Sequence, residues 1–194
     1  EKVIENIDDY SYASYYTEVF YNDIKLSSAT AFVYSYRNQL FLITNLHVVT
    51  GKDIFTNECL DVNAAIPNKL KVYMFKKVSE ISLEYTDVEI PLNFDNPNWY
   101  TVTIEDRKID IAVIKLNLEE DIICYPINEL EEPCNEETEI HVRDDVFVIG
   151  YPFGFREVEG LPIWKRGSIA SEPSANIRNI PALYIDTATR SGMS

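Results

Sequence analysis

The chain of 194 residues carries a formal charge of −15 and is 46% hydrophobic, with 13 Tyr and 9 Phe against 6 Gly. Its length suits one large domain or two small ones with a buried core, and its aromatic content favours packed strands. The acidity excludes phosphate-backbone binding to nucleic acid and attraction to anionic membranes, and there is no apolar run of about 18 residues to span a bilayer.

Residues 1–16 form a polar, acidic N-terminal arm or short helix. A strand-like pattern runs from Tyr15 to Tyr21, and β-forming residues recur from Ser27 to Tyr36. Arg37-Asn38-Gln39 then turns the chain into the apolar run Leu40–Thr44, predicting a hairpin. His47 follows in Thr44-Asn45-Leu46-His47-Val48-Val49, at a strand end with a turn or one helical turn to come. By itself it reads as a half-buried histidine satisfied by backbone groups. Residues 52–70 are loop-like. Leu70–Phe75, Ile81–Tyr85, Val88–Leu92 and Trp99–Ile104 read as strands, with a turn at Asp95-Asn96-Pro97-Asn98.

Asp110 opens the β-branched run Ile111-Ala112-Val113-Ile114. A carboxylate at the mouth of a buried strand needs a partner, either a histidine N–H or nearby backbone amides. Residues 121–145 form an acidic connector, and His141 within it reads as a surface residue without a role. Strands resume at Val146–Gly150 and at Ile163–Ser171, the latter containing Gly167, a sign of a bulge or a close backbone approach. Leu183–Ile185 leads to Asp186 and the closing Gly192-Met193-Ser194 turn. Such a turn is either ordinary or one that exposes a serine oxygen beside the backbone N–H groups of Gly192 and Ser194.

Cys59, Cys124 and Cys134 are odd in number and show no C-x-x-C spacing, and with only two histidines a structural zinc site is not expected. Three thiols without a disulfide framework point to a reducing, cytoplasmic compartment. A secreted or periplasmic location fits only if a signal has been removed from before Glu1.

In chain order His47, Asp110 and Ser194 supply a base, an orienting carboxylate and a hydroxyl that is a poor nucleophile until deprotonated. α/β-Hydrolases use the order Ser, acid, His and need βα alternation, which is absent here. Four stretches together resemble the trypsin-like serine peptidases, in particular the bacterial, HtrA-like branch. They are Thr44–Val49, Asp110–Leu116, Val148–Pro152 with Gly167–Ile169, and Asp186–Ser194; Thr30-Ala31-Phe32 also resembles the segment before the histidine strand.

The resemblance implies an all-β fold of two six-stranded β-barrels of the trypsin/chymotrypsin type, with the active site between them. Residues 17–120 would form the first barrel and 146–194 the second, incomplete at the nucleophile; family members continue past this serine, so closing strands are expected beyond Ser194. It further implies Ser194 as nucleophile, His47 as general base and acid, Asp110 as orienter, and the N–H groups of Gly192 and Ser194 as oxyanion hole. Ala188, Thr189 and Ser168 would bind substrate, favouring an uncharged P1 residue.

No cofactor or metal is implied, and the partner is a protein or peptide substrate. Met193 stands where digestive members carry an aspartate that pairs with a new N-terminus. Activation by N-terminal insertion is therefore not expected, whereas ordering of residues 153–162 and 187–194 by an activating protein partner or an additional domain is. The alternative is a catalytically silent trypsin-fold module used for regulation or protein interaction. The long stretch between His47 and Asp110 implies extra strands or a loop near residues 52–98.

Overall fold

The computed structural model describes residues 7–79, 82–130, 139–152, 160–177 and 180–187. A short helix, α1 (Asp9–Tyr12), leads into β1 (Ser14–Tyr21), which begins inside the stretch assigned to the arm. Then come β2 (Ile24–Tyr36), β3 (Gln39–Thr44), α2 (Leu46–Thr50), β4 (Lys69–Ser79), β5 (Ser82–Pro91), β6 (Trp99–Ile104), β7 (Arg107–Leu116) and β8 (Ile122–Ile123). A 3₁₀ turn (Ile127–Glu129) precedes β9 (Asp145–Gly150), β10 (Ile163–Ile169) and β11 (Ile185–Asp186).

The architecture is all-β, as expected. One sheet has eight strands in the order β5-β4-β1-β2-β3-β7-β6, with β8 on β4; the other has three, in the order β11-β10-β9. These are the hydrogen-bonded strands among the described residues, and neither sheet is closed into a six-stranded barrel by hydrogen bonds among them. The extra β8 has a simple cause. β1 covers β4 only from Lys69 to Val72, so the far half of β4 keeps an open side, where Phe75 and Lys76 pair with Ile123 and Ile122.

Tight turns set the registers of the first sheet. Arg37 and Asn38 between β2 and β3 have φ of 50° and 61°, and Glu105 and Asp106 between β6 and β7 have φ of 48° and 62°. Paired left-handed residues match the right-handed twist of the flanking strands. Alternation then sends one face of each strand inward: Ala29, Ala31 and Val33 from β2, Leu70, Val72 and Met74 from β4, Ala112, Ile114 and Leu116 from β7. The sheet thus wraps one core, to which Leu46, Val48 and Val49 of α2 also contribute. Burial of each Val, Leu or Ile side chain contributes about 1.5–3 kcal/mol.

The predicted strands Ile81–Tyr85 and Val88–Leu92 are one strand, β5. Thr86 and Asp87 stay in the ladder opposite Met74 and Tyr73. Asp87 is exposed, with Lys71 lying 3.2 Å from it and 3.0 Å from Glu89, whereas Thr86 is half-buried on the same face as Val88 and Ile90. The acidic connector is partly drawn into the first sheet, through β8 and through Asn128, whose side-chain amide exchanges two 2.9 Å hydrogen bonds with the backbone of Ser35.

Tyr151 joins the two sheets. Its backbone N–H donates to Thr30 Oγ1 (3.2 Å), and its hydroxyl lies 2.8 Å from the Ser14 carbonyl and 3.1 Å from that of Gly160. Trp164 of β10 donates from Nε1 to Ser11 Oγ of α1 at 2.9 Å, so the N-terminal arm also buttresses the second sheet. Among the described residues no helix is long and apolar enough to cross a membrane.

Candidate active site

His47 is held by the change from strand to helix after β3. Asn45 caps α2 in extended conformation, and Val48 and Val49 anchor the single helical turn in the core. Gly51 ends it with φ +65°, its N–H donating to the His47 carbonyl at 2.9 Å. A side chain at Gly51 would also meet Pro67 Cδ at 2.4 Å, so both conformation and space call for glycine.

Asp110 lies on β7, the strand beside β3, two residues before the Ala112 that pairs with Thr44. Histidine and aspartate therefore meet at the same end of two adjacent strands. His47 Nδ1 is 2.7 Å from Asp110 Oδ2, and the His47 backbone N–H donates to Oδ1 at 2.9 Å. Asn45 Nδ2 donates to Oδ2 at 3.1 Å and to the Asp110 carbonyl at 3.2 Å.

Burial works to raise the Asp110 carboxyl's pKa, but the hydrogen bonds from the His47 ring and backbone, the His47 charge and the Asn45 amide outweigh it and hold it below its ordinary value. An ionised Asp110 accepts the Nδ1 proton and leaves Nε2 of a neutral imidazole as the basic nitrogen. The two side chains remain 29% and 28% exposed, enough for a reactant to reach them.

Asn45 was not singled out by sequence reasoning. Its place beside His47 in Thr44-Asn45-Leu46-His47 is the only local signal, because its use depends on where β7 lies. Its side chain does not cap α2; it serves Asp110 instead. Also missed was the approach of the 52–66 loop, where Asp53, Ile54, Phe55 and Leu60 line a cavity together with His47 and Asp110.

On the second sheet, Ser168 pairs with Asp186. Gly167 marks a close approach: a Cβ there would lie 2.8 Å from the Asp186 carbonyl oxygen and 2.8 Å from Thr187 Cβ. The absent side chain allows β11 to lie against β10. Ala188, Thr189, Gly192 and Ser194 lie outside the described residues. His141 is exposed and its backbone N–H donates to Asp144 Oδ2 at 2.7 Å, in keeping with a surface residue. Among the described residues, no group of three or more His, Cys, Asp or Glu is placed to hold a metal ion.

Comparison with known proteins bears on this arrangement. The family model described as trypsin-like peptidase domain matches residues 29–194. Among solved structures, Deg5 is similar with a TM-score of 0.51 and 19% identity over 94% of this chain and 71% of its own, a likeness of fold. The HtrA-type protease AlgW with tripeptide is similar with a TM-score of 0.46 and 16% identity over 94% of this chain and 45% of its own. No curated protein sequence gives a significant match.

Proposed function

The chain belongs to the trypsin-like peptidase domain family, and from that premise we propose that it is a serine endopeptidase working through His47, Asp110 and Ser194. The observation that carries the reading is the ring of donors on Asp110: His47 Nδ1 at 2.7 Å, the His47 backbone N–H at 2.9 Å and Asn45 Nδ2 at 3.1 Å. A carboxylate fixed in this way orients an imidazole and stabilises its protonated form, which is what a histidine base requires.

In this mechanism Ser194 Oγ attacks the carbonyl carbon of the scissile peptide while its proton passes to His47 Nε2. The carbonyl oxygen becomes an oxyanion, stabilised by the backbone N–H groups of Gly192 and Ser194. Collapse breaks the C–N bond, and the imidazolium returns the proton to the leaving amine. Water then repeats the sequence on the acyl-enzyme, releasing the acid and regenerating Ser194. Ala188, Thr189 and Ser168 would line the pocket for the residue before the scissile bond.

The proposal includes gating. Met193 cannot pair with a new N-terminus, so competence would depend on ordering of residues 153–162 and 187–194 by a protein partner or a further domain.

Labelling with a fluorophosphonate probe tests the reading. The intact protein is expected to label, and Ser194→Ala and His47→Ala to lose the label. Labelling that survives Ser194→Ala, or its absence from the intact protein even with candidate partners, would sink the triad assignment. Gating fails if the protein alone cleaves unfolded casein at a rate that partners do not raise.

A further inference from the structure

The first sheet has an outer face as well as a core face. Residues directly opposite one another in antiparallel strands share a face. Val33, Leu42, Ile114 and Trp99 form one such row across β2, β3, β7 and β6, and all four lie in the core. Their neighbours along each strand alternate to the outside. On β1 and β2 the outer face begins with the pair Tyr16 and Thr30. Tyr16 packs on Tyr151 with ring centroids 5.4 Å apart, and Thr30 Oγ1 accepts from the Tyr151 N–H at 3.2 Å. At this end, therefore, the second sheet covers the first.

The same face continues in two further rows. Phe32, Ile43, Val113 and Tyr100 run across β2, β3, β7 and β6, and Tyr34, Phe41 and Lys115 across β2, β3 and β7. Tyr34 is 42% exposed and Tyr100 64%, while Phe32, Phe41, Ile43 and Val113 are half-buried. Tyr36, 54% exposed, extends the patch at the β2–β3 hairpin. A strand with one face in water alternates apolar and polar residues, whereas an unbroken apolar run belongs to a strand covered on both faces. Leu40-Phe41-Leu42-Ile43 of β3 and Ile111-Ala112-Val113-Ile114 of β7 are runs of the second kind, yet the tyrosines beside them stand open to solvent. A contiguous apolar patch of this sort marks an interaction surface.

The charge on this face runs against that of the chain. The sequence has 32 Asp and Glu against 17 Lys and Arg, but the two rows carry no carboxylate and one cation, the exposed Lys115. A second cation, the Arg37 guanidinium, lies 5.0 Å from the centre of the Tyr36 ring. We propose that the outer face of β2, β3, β7 and β6 docks a segment of a partner protein that carries aromatic or aliphatic side chains with a carboxylate among them. The apolar side chains cover the rows between Tyr34 and Tyr100, and the carboxylate pairs with Lys115 or Arg37 in a charge-assisted hydrogen bond. Charge complementarity favours this occupant over a second copy of the chain. A two-fold contact sets a patch against itself, and so would bring these cations together with their own counterparts. The proposal does not depend on the peptidase reading.

Selection from a random peptide library on the full chain tests it, with counter-selection on a variant carrying both Tyr34→Ser and Lys115→Glu. Both positions are exposed, so the variant should keep the denaturant midpoint of the unaltered protein; if it does not, Tyr100→Ser takes its place. Surviving peptides are expected to combine Phe, Tyr, Leu or Ile with Asp or Glu. In fluorescence anisotropy, Tyr34→Ser and Tyr100→Ser should each weaken binding of a selected peptide on the order of 10-fold. Lys115→Glu should turn the preference from the acidic peptide to its Lys-substituted counterpart. No survivor of the counter-selection, survivors rich in Lys or Arg, or affinities unchanged in all three single variants would overturn the proposal. Self-association in sedimentation, or binding to phosphatidylserine vesicles, that Tyr34→Ser abolishes would give the face a different occupant and overturn it equally.

Discussion

The two sheets are built to different standards. In the first, every strand from β1 to β7 sends side chains into one core, and Val33, Leu42, Leu70, Val72 and Met74 are inaccessible to solvent. In the second, the buried apolar side chains among the described residues of the strands and their flanks include Tyr151 and Ile169, while Phe147 and Trp164 meet edge to face in exposed positions and Tyr184 is 57% exposed. Asp110 belongs to the first sheet, and His47 to α2, which packs on the same core. β11 pairs with β10 through two residues, Ile185 and Asp186. The His47–Asp110 pair is therefore preorganised by a deep core, whereas under the proposed mechanism the serine would follow a strand of the sparser sheet. That division is the physical ground for expecting activity and global stability to be separable here.

Asp110→Asn probes the stronger side and carries the largest expected effect. With the geometry kept but the imidazole tautomer no longer fixed, kcat should fall on the order of 10⁴-fold. The same variant has a pH signature. The Asp110 carboxyl titrates below its ordinary value in the folded protein. Its contribution to stability is therefore fully present above the ordinary carboxylate range and is lost as pH falls through the lower, folded value. Denaturant midpoints taken from neutral pH into that acid range should drop less for Asp110→Asn than for the unaltered protein; an equal drop would mean the dyad plays no part in acid stability.

Leu42→Ala should cost about 2–5 kcal/mol of global stability, read as a lower denaturant midpoint. If the first sheet is the foundation, this loss precedes any change in the labelling rate of the protein that remains folded. Gly167→Ala tests the weaker side. The new methyl group would press on the Asp186 carbonyl oxygen and Thr187, an overpacking of about 1–3 kcal/mol. Labelling of Ser194 should fall while the main unfolding transition barely moves. A large shift of the global transition with labelling intact would erase the distinction between the sheets.

Much of this was legible locally. Partial alternation marked β4 and the two halves of β5, runs of β-forming residues marked β2, β7, β9 and β10, and the Arg37-Asn38 turn located the first hairpin. His47, Asp110 and Ser194 stood out because each lies at a strand edge in a run of recognisable type. Strand length was harder to judge: Thr86 and Asp87 looked like a break, and only their cross-strand partners show that β5 continues. The domain limits and the roles of Ala188, Thr189 and Ser168 remain expectations carried by the resemblance.

The sequence by itself therefore determined the all-β class, the family and the identity of the residues that could form a triad, because alternation and short motifs are properties of neighbouring residues along the chain. Tertiary structure decided what those residues meet. It brought Asn45 to Asp110 across 65 positions, set β8 against the open side of β4, turned the missing side chain of Gly167 into space for β11, and brought Ile54, Phe55 and Leu60 to the cavity beside His47 and Asp110. Each of these depends on which strand lies beside which, and that is settled by packing around a common core, on which the local pattern of any one segment has no bearing.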